Sequence, residues 1–383
     1  MNWIVSEGAK VQGASHKIKG MPCQDAVQVH PIKGSKSPSY CVIMSVADGH
    51  GSSASKYSDD GAYIATEVAI KHMKQVAQHI ENELIKEISR DIEKVLKLEF
   101  EAKLETEEIE SLNKYLKSIE RHMDSKMIHI EKRLLKEIKH KIEKILVQQE
   151  IGNSVNSDEE ACRYFALKQK EICRYFLEEE RINKNLYEYL SEIGALRIPK
   201  LIDHFWKKSV KSYHKKQNRE EIKADEDRES KKANHKKFYK MYGTTLLMSF
   251  ISKEFIFSLQ IGDGTILAID EVGEARYFIK PEKLLGTETH SLCLENSWKY
   301  FKSRLLKFCD DGSNIPKMLM LSTDGYGDSF ESESDFFEIG KDYLSRIEIG
   351  GMKEVDDNLE AWLDETSKSG SGDDISVVLA YRE

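Results

Sequence analysis

The chain has 383 residues, 40% of them hydrophobic and 32% charged, with a formal net charge of −8; that length buries one large core and leaves room for a second, more solvated module. No window approaches the roughly 20 apolar residues that span a bilayer, the first residues show no basic stretch followed by an apolar run, and the six cysteines are scattered without a C-x-x-C pair. Membrane-spanning, zinc-ribbon and disulfide-scaffold classes are excluded, and a soluble, cytoplasmic protein with reduced thiols is expected.

In chain order, the first clear element is Tyr40 to Ala47, YCVIMSVA, a short apolar run that reads as a buried strand and stops at Asp48-Gly49-His50-Gly51, where glycine permits a tight turn. From about Gly61 to Lys240 apolar residues recur at three- and four-residue steps: Ile80, Leu84, Ile88, Ile92 and Val95, then Leu112, Leu116 and Ile119 through Ile138, Ile142 and Ile145. That spacing predicts an amphipathic helical or coiled-coil seam. Breaks are expected near Thr106, Gly152-Asn153, Gly194 and Ile198-Pro199, giving an antiparallel helical arm with Tyr164, Phe165, Tyr175, Phe176, Tyr187 and Tyr189 in its core. Residues 71–240 carry 38 Lys and Arg against 33 Asp and Glu, and the rest of the chain 20 against 33. The middle and its acidic flanks therefore face different partners.

Strand patterns return after Gly243. TTLLMSFIS and EFIFSLQI flank a turn at Ser252-Lys253, and TILAIDEV and EARYFI flank Gly273, so two hairpins are predicted. MLMLST (Met318 to Thr323) and DISVVLAY (Asp374 to Tyr381) are further strands. Strands on both sides of a helical block indicate an α+β sandwich interrupted by the arm. The expected division is 1–72 and 240–383 for the sandwich and 73–239 for the insertion, with self-association or a protein partner expected through 73–239.

Four places repeat one pattern, an aspartate at the edge of an apolar strand beside glycine or in a polar turn: Gln24-Asp25, Asp48-Gly49, Asp324-Gly325 and Gly372-Asp373-Asp374. Singly each is a turn signal. Together they are the oxygen donors that hard divalent cations such as Mg²⁺ and Mn²⁺ prefer.

These residues resemble the metal-dependent protein serine/threonine phosphatases, also called type 2C, and particularly their bacterial branch. The resemblance rests on Gly13 to Ala26 (GASHKIKGMPCQDA), Val46 to Gly51 (VADGHG), Tyr242 to Leu247 (YGTTLL), Ile261 to Gly264 (IGDG), Leu321 to Gly325 (LSTDG) and Gly372 to Val378 (GDDISVV). It implies a four-layer α-β-β-α sandwich of two antiparallel sheets with two Mn²⁺ or Mg²⁺ ions at one end. Carried over residue by residue, Asp48 would bridge both ions, Gly49 would offer its carbonyl, Asp25 would serve one ion directly or through water, and Asp324 and Asp373 would hold the other. Asp374, where the family often has asparagine, is left to support them. The chemistry implied is attack of a metal-activated water on a phosphorylated protein substrate, with His50 as general acid for the leaving alkoxide.

Two departures stand out. Many members carry a phosphate-clamping arginine five residues before the first metal aspartate, and here that residue is Gly20; His16 or Lys19 would have to supply the donor. Several members bind a third ion through an aspartate where this chain has Lys240. The other patterns read more plainly: Gly262-Asp263-Gly264 as a hairpin turn, Thr244 and Thr245 as strand residues with a structural hydrogen bond, and the basic runs Lys207 to Arg219 and Lys231 to Lys237 as a solvated helix face. Acidic residues interleaved from Glu220 to Glu229 argue against a nucleic-acid surface. The alternative to the enzyme is a phosphatase-like scaffold that binds a phosphoprotein or kinase through its arm; it would be expected to lack one of the aspartates. A two-metal nuclease would need a Lys or Glu at a telling spacing, and none is found.

Overall fold

The computed structural model describes residues 3–30, 41–100, 179–217, 219, 234, 236–281, 289–309, 312 and 314–383. The chain opens with β1 (Trp3–Val5), β2 (Ala9–Val11), α1 (Ala14–Lys19), β3 (Ala26–His30) and β4 (Cys41–Ala47), then enters the long helix α2 (Ser58–Phe100). It continues through α3 (Glu179–Tyr189), a π turn at Leu190–Gly194 and α4 (Ala195–Lys216). β5 (Leu246–Ser252), β6 (Phe255–Ile261), β7 (Thr265–Ile269), β8 (Ala275–Ile279), β9 (Lys302–Lys307) and β10 (Met318–Ser322) follow. α5 (Asp324–Gly327), α6 (Glu333–Ser369) and β11 (Ile375–Arg382) close the fold. Two compact units result: Met1–Val76 with Tyr187–Glu383, and Ala77–Leu186.

The first unit is built on two antiparallel sheets. One runs β1-β11-β10-β7-β8 with β2 also on β11, and the other β3-β4-β5-β6-β9. Strand alternation assigns the two faces of the first sheet. Leu319 and Leu321 of β10 and Val378 and Ala380 of β11 meet Met44, Val46, Leu247 and Ile251 between the sheets. Met318, Met320, Val377 and Leu379 face the other way, onto Phe336, Tyr343, Val355, Leu359 and Leu363 of α6. Because these central strands are covered on both faces, they read as unbroken apolar runs. α6 carries a kink at Gly351.

On the outer face of the second sheet, Tyr187 packs on Phe255 with ring centroids 5.8 Å apart, and Gly194 lies between Leu190 and Phe257. α4 packs on the first turns of α2: His72 stacks on Phe205 at 3.9 Å, and the buried Trp206 indole donates to the Gly61 carbonyl at 3.0 Å. The order α6, sheet, sheet, α2/α4 is the α-β-β-α sandwich expected.

Three readings of the middle segment change. The breaks expected at Gly194 and Ile198-Pro199 do not occur: the π turn at Leu190–Gly194 leads directly into α4, and Pro199 lies inside it, at the loss of one helical hydrogen bond. Tyr187 belongs to the contact with Phe255, not to an arm core. Of the basic run, Lys208, Lys211, Lys215 and Lys216 are exposed as expected, but Lys207 and Arg219 are only partly so: Lys207 Nζ pairs with Asp203 at 2.6 Å and Arg219 lies 3.8 Å over the Tyr57 ring. The breaks at Thr106 and Gly152-Asn153, the seam from Leu112 to Ile145, and Tyr164, Phe165, Tyr175 and Phe176 lie outside the described residues, as do the side chains of Leu84, Ile88, Ile92 and Val95. Among the described residues no helix is long and apolar enough to cross a membrane.

Candidate active site

Strand register carries the aspartates to one end of the sandwich. Asp25 precedes β3 and Asp48 follows β4, and these ends are paired through Ala26 and Ala47. The start of β5 pairs with the end of β6 through Leu246 and Ile261, which places Asp263 at the same edge. In the other sheet Ser322, at the end of β10, is opposite both Thr265 and Val377, so Asp324 and the pair Asp373-Asp374 come to that end as well. Asp48, Gly49, His50, Asp263, Asp324 and Asp373 line one cleft of about 770 Å³, together with His16, Lys236, Lys240, Cys293 and neighbouring residues of the segment after Thr289.

Each chemical group is fixed from behind. The Asp48 amide donates to Thr245 Oγ1 at 3.0 Å, and the Asp48 carbonyl accepts from Thr244 Oγ1 and from the Thr245 amide, both at 2.8 Å. Thr244 and Thr245 thus make the structural bonds expected of them, and what they hold is the aspartate. Gly49 cannot carry a side chain, because a Cβ there would stand 2.6 Å from the Ser58 carbonyl and 2.7 Å from the Gln24 carbonyl. His50 is held by its amide to the Gly243 carbonyl at 3.0 Å. Buried Asp25 accepts from Thr323 Oγ1 at 2.7 Å through one oxygen; the other, Oδ1, is buried without a hydrogen-bond partner.

Asp374 is an organiser of the loop before β3. One of its oxygens accepts from the Gly13 amide and the other from the Gln24 amide, each at 2.6 Å, and His16 Nδ1 lies 3.0 Å from it. His16 Nε2 is 3.5 Å from Asp373. Of the two expected phosphate-binding residues, His16 lines the cleft with its ring beside Asp373 and Asp374, whereas Lys19 is exposed at the end of α1 and is not among the residues lining the cleft. Gly20, at the position of the missing arginine, ends α1 in the left-handed region with φ 65°, a conformation that disfavours any residue with a Cβ.

The crowding of carboxylates is visible in their acidity. Burial, then Asp324 and Asp25, holds Asp48 well above the usual carboxylate range, although the residue keeps some opening to the cleft. Burial does the same for Asp25, with Asp374 and Asp324 adding to it against the lowering bond from Thr323. Asp324 is pushed up to about 7 by burial, then by Asp263 and Asp373. Asp263, read from the sequence as a hairpin turn, thus belongs to the charged cluster. His50 is lowered, by burial first and Lys240 second. Cys23 is pushed up to about 12, mainly by burial, and burial also raises Cys293 on the cleft wall; neither thiol is a thiolate nucleophile at neutral pH.

Among the described residues no group of three or more His, Cys, Asp or Glu is gathered tightly enough, as placed, to hold a metal ion. The donor set nonetheless fits a hard divalent cation: like-charged carboxylates raise one another, and Asp25 carries a buried oxygen without a hydrogen-bond partner.

A sequence model described as protein phosphatase 2C matches residues 12–162 and 179–364. Similar solved structures include the S. agalactiae serine/threonine phosphatase, at 12% identity with all of both chains covered and a TM-score of 0.42. The Mycobacterium tuberculosis serine/threonine phosphatase PstP/Ppp is 10% identical, also with all of both chains covered and a TM-score of 0.42. The catalytic domain of the phosphatase PstP in complex with two manganese ions is 10% identical, covers 99% of this chain and 97% of that one, and has a TM-score of 0.40. No curated protein sequence matches.

Proposed function

Because the chain belongs to the protein phosphatase 2C family, we propose that it is a metal-dependent protein serine/threonine phosphatase acting on phosphoserine and phosphothreonine. The observation that supports this most is the placing of Asp48, Asp324 and Asp373, with His50, around one cleft, with Asp25 close enough to raise Asp48. Asp25, Asp48, Asp324, Asp373 and the Gly49 carbonyl would hold two Mn²⁺ or Mg²⁺ ions. When bound, such ions supply a water of lowered pKa and neutralise phosphate oxygens.

The chain's own groups do the rest. Thr244 and Thr245 fix the backbone that carries Asp48. Asp374 ties the Gly13 and Gln24 amides together and so sets the approach of Asp25. His50, beside Asp48, is the general acid that protonates the leaving serine or threonine alkoxide. In the free protein its imidazole is lowered, and a phosphate dianion in the cleft brings the opposite charge that favours imidazolium.

The test is hydrolysis of an aryl phosphate and of a phosphoserine peptide in Mn²⁺ and in chelator. Turnover of both in Mn²⁺ and of neither in chelator is expected; activity that survives full chelation sinks the proposal. His50→Ala should lose much more kcat on the peptide than on the aryl phosphate, whose leaving group needs little protonation. Equal losses would remove the general-acid role.

A further inference from the structure

A phosphate monoester arrives as a dianion, and the usual partner for it is missing. The arginine position is Gly20, Lys19 is not among the cleft-lining residues, and the His16 ring faces two carboxylates, Asp373 and Asp374, which disfavour an anion beside it. The two ammonium groups that line the cleft are Lys236 and Lys240. Both lie in the helical turn 236–240, and a spacing of four puts them on one face. Among the described residues no carboxylate forms an ion pair with either.

Lys240 is also anchored to the catalytic loop. Its carbonyl accepts from the Gly243 amide at 3.1 Å, and the Gly243 carbonyl accepts from the His50 amide at 3.0 Å. Tyr242 between them is gripped by Arg219, whose Nη1 donates to Tyr242 Oη at 2.9 Å and whose Nη2 pairs with Asp60 at 2.7 Å. The charge of Lys240 is felt at His50 and at Cys293.

We propose that Lys240 binds the phosphate group of the substrate in place of the absent arginine, with Lys236 drawing the anion in from further out. This rests on the phosphatase reading above. An ammonium is a point charge with rotatable donors, so it holds a phosphate without the bidentate orientation an arginine gives. Binding through it is accordingly sensitive to salt.

The experiment measures two things on the full chain: orthophosphate binding to the Mg²⁺-loaded protein by calorimetry, and Mn²⁺-dependent hydrolysis of an aryl phosphate. Lys240→Ala is expected to weaken orthophosphate about tenfold and raise KM about tenfold with a smaller change in kcat. Lys240→Arg should restore most of both, Lys236→Ala should cost about two- to threefold, and Lys341→Ala, which removes the same charge from outside the cleft, should change neither. A folded Lys240→Ala protein that binds orthophosphate within twofold of wild type overturns the assignment, as does a wild-type protein that binds none. Hydrolysis by wild type with no Lys240 dependence sinks the lysine and leaves the phosphatase standing. Lys240-dependent phosphate binding without any hydrolysis in Mn²⁺ does the reverse.

Discussion

Asp48 illustrates how a side chain proposed to hold a metal can oppose folding. Its carboxylate sits among Asp324, Asp25, Asp373 and Asp263, and burial together with these charges holds it well above the usual range. Replacing it with the neutral, isosteric amide removes repulsion from the metal-free protein. Asp48→Asn is therefore expected to lower activity by several orders of magnitude, to leave the metal-free Tm unchanged or higher, and to lack the rise in Tm expected of wild type in Mn²⁺. A lower metal-free Tm would mean that Asp48 has a structural role instead. The same logic fixes a pH dependence. A carboxylate raised on folding holds its proton in the folded state after the unfolded chain has released it, so its contribution declines as pH rises from the ordinary aspartate value of about 3.9. For Asp324 the loss is complete above about 7. The metal-free protein should thus melt at progressively lower temperature from pH 5 to pH 7.5, and saturating Mn²⁺ should remove that trend; a metal-free Tm that rises over this range contradicts the assigned shifts. These aspartates were legible because each sits at an apolar strand's edge beside a glycine or a polar turn. Asp263 was not, since Gly-Asp-Gly between two strands is also what a hairpin turn looks like; its signal was that it follows β6, buried throughout, as Asp48 and Asp324 follow β4 and β10.

At the level of elements, legibility followed burial. β4, β5, β6, β10 and β11 announce themselves because both faces are covered. β9 (Lys302–Lys307), with its half-exposed, charged pattern, carries too little apolar signal, and β1 and β2, at three residues each, are too short to show a period. Helical periodicity, by contrast, gives the class of an element but not its neighbour, which is why α4 read as part of the arm. Its buried face (Ile198, Ile202, Trp206 and Val210) belongs to the unit that contains the cleft. Trp206 is fully buried and its indole donates to the Gly61 carbonyl. Trp206→Ala should therefore destabilise the unit that contains the cleft by about 3–5 kcal/mol, since it leaves a large cavity and removes the indole's added hydrogen bond to the Gly61 carbonyl. Denaturant unfolding followed through loss of Mn²⁺-dependent hydrolysis measures this, and an unchanged midpoint would separate α4 from that unit.

For the whole molecule, the question is which part of the helical middle the cleft depends on. The boundary expected from apolar periodicity and the return of strand patterns, 73–239, takes in Trp206, Arg219, Lys236 and Tyr239. The contacts divide the chain elsewhere, with Ala77–Leu186 as a separate compact unit. Arg219 bonds Tyr242 and Asp60, and Tyr242 leads directly into Gly243, whose carbonyl holds His50. A deletion of 74–232 would remove Arg219 and Trp206 together, leaving Tyr242 without its cation and a cavity where the indole packs beside Gly61. A deletion of Ala77–Leu186 removes none of these groups. We therefore expect the shorter deletion, closed by a ten-residue Gly/Ser linker spanning about 17 Å on average, to keep Mn²⁺-dependent hydrolysis of an aryl phosphate within severalfold of the full chain. The longer deletion should fold poorly and lose that hydrolysis. If the arm serves recognition, as its different charge balance suggests, the shorter deletion should also lose self-association or activity on a native phosphoprotein while the aryl phosphate is still turned over. Loss of aryl-phosphate turnover in a shorter-deletion protein that remains folded by circular dichroism would show that residues 77–186 contribute to the site itself, and equal activity of the two deletions would show that α4 and Arg219 do not.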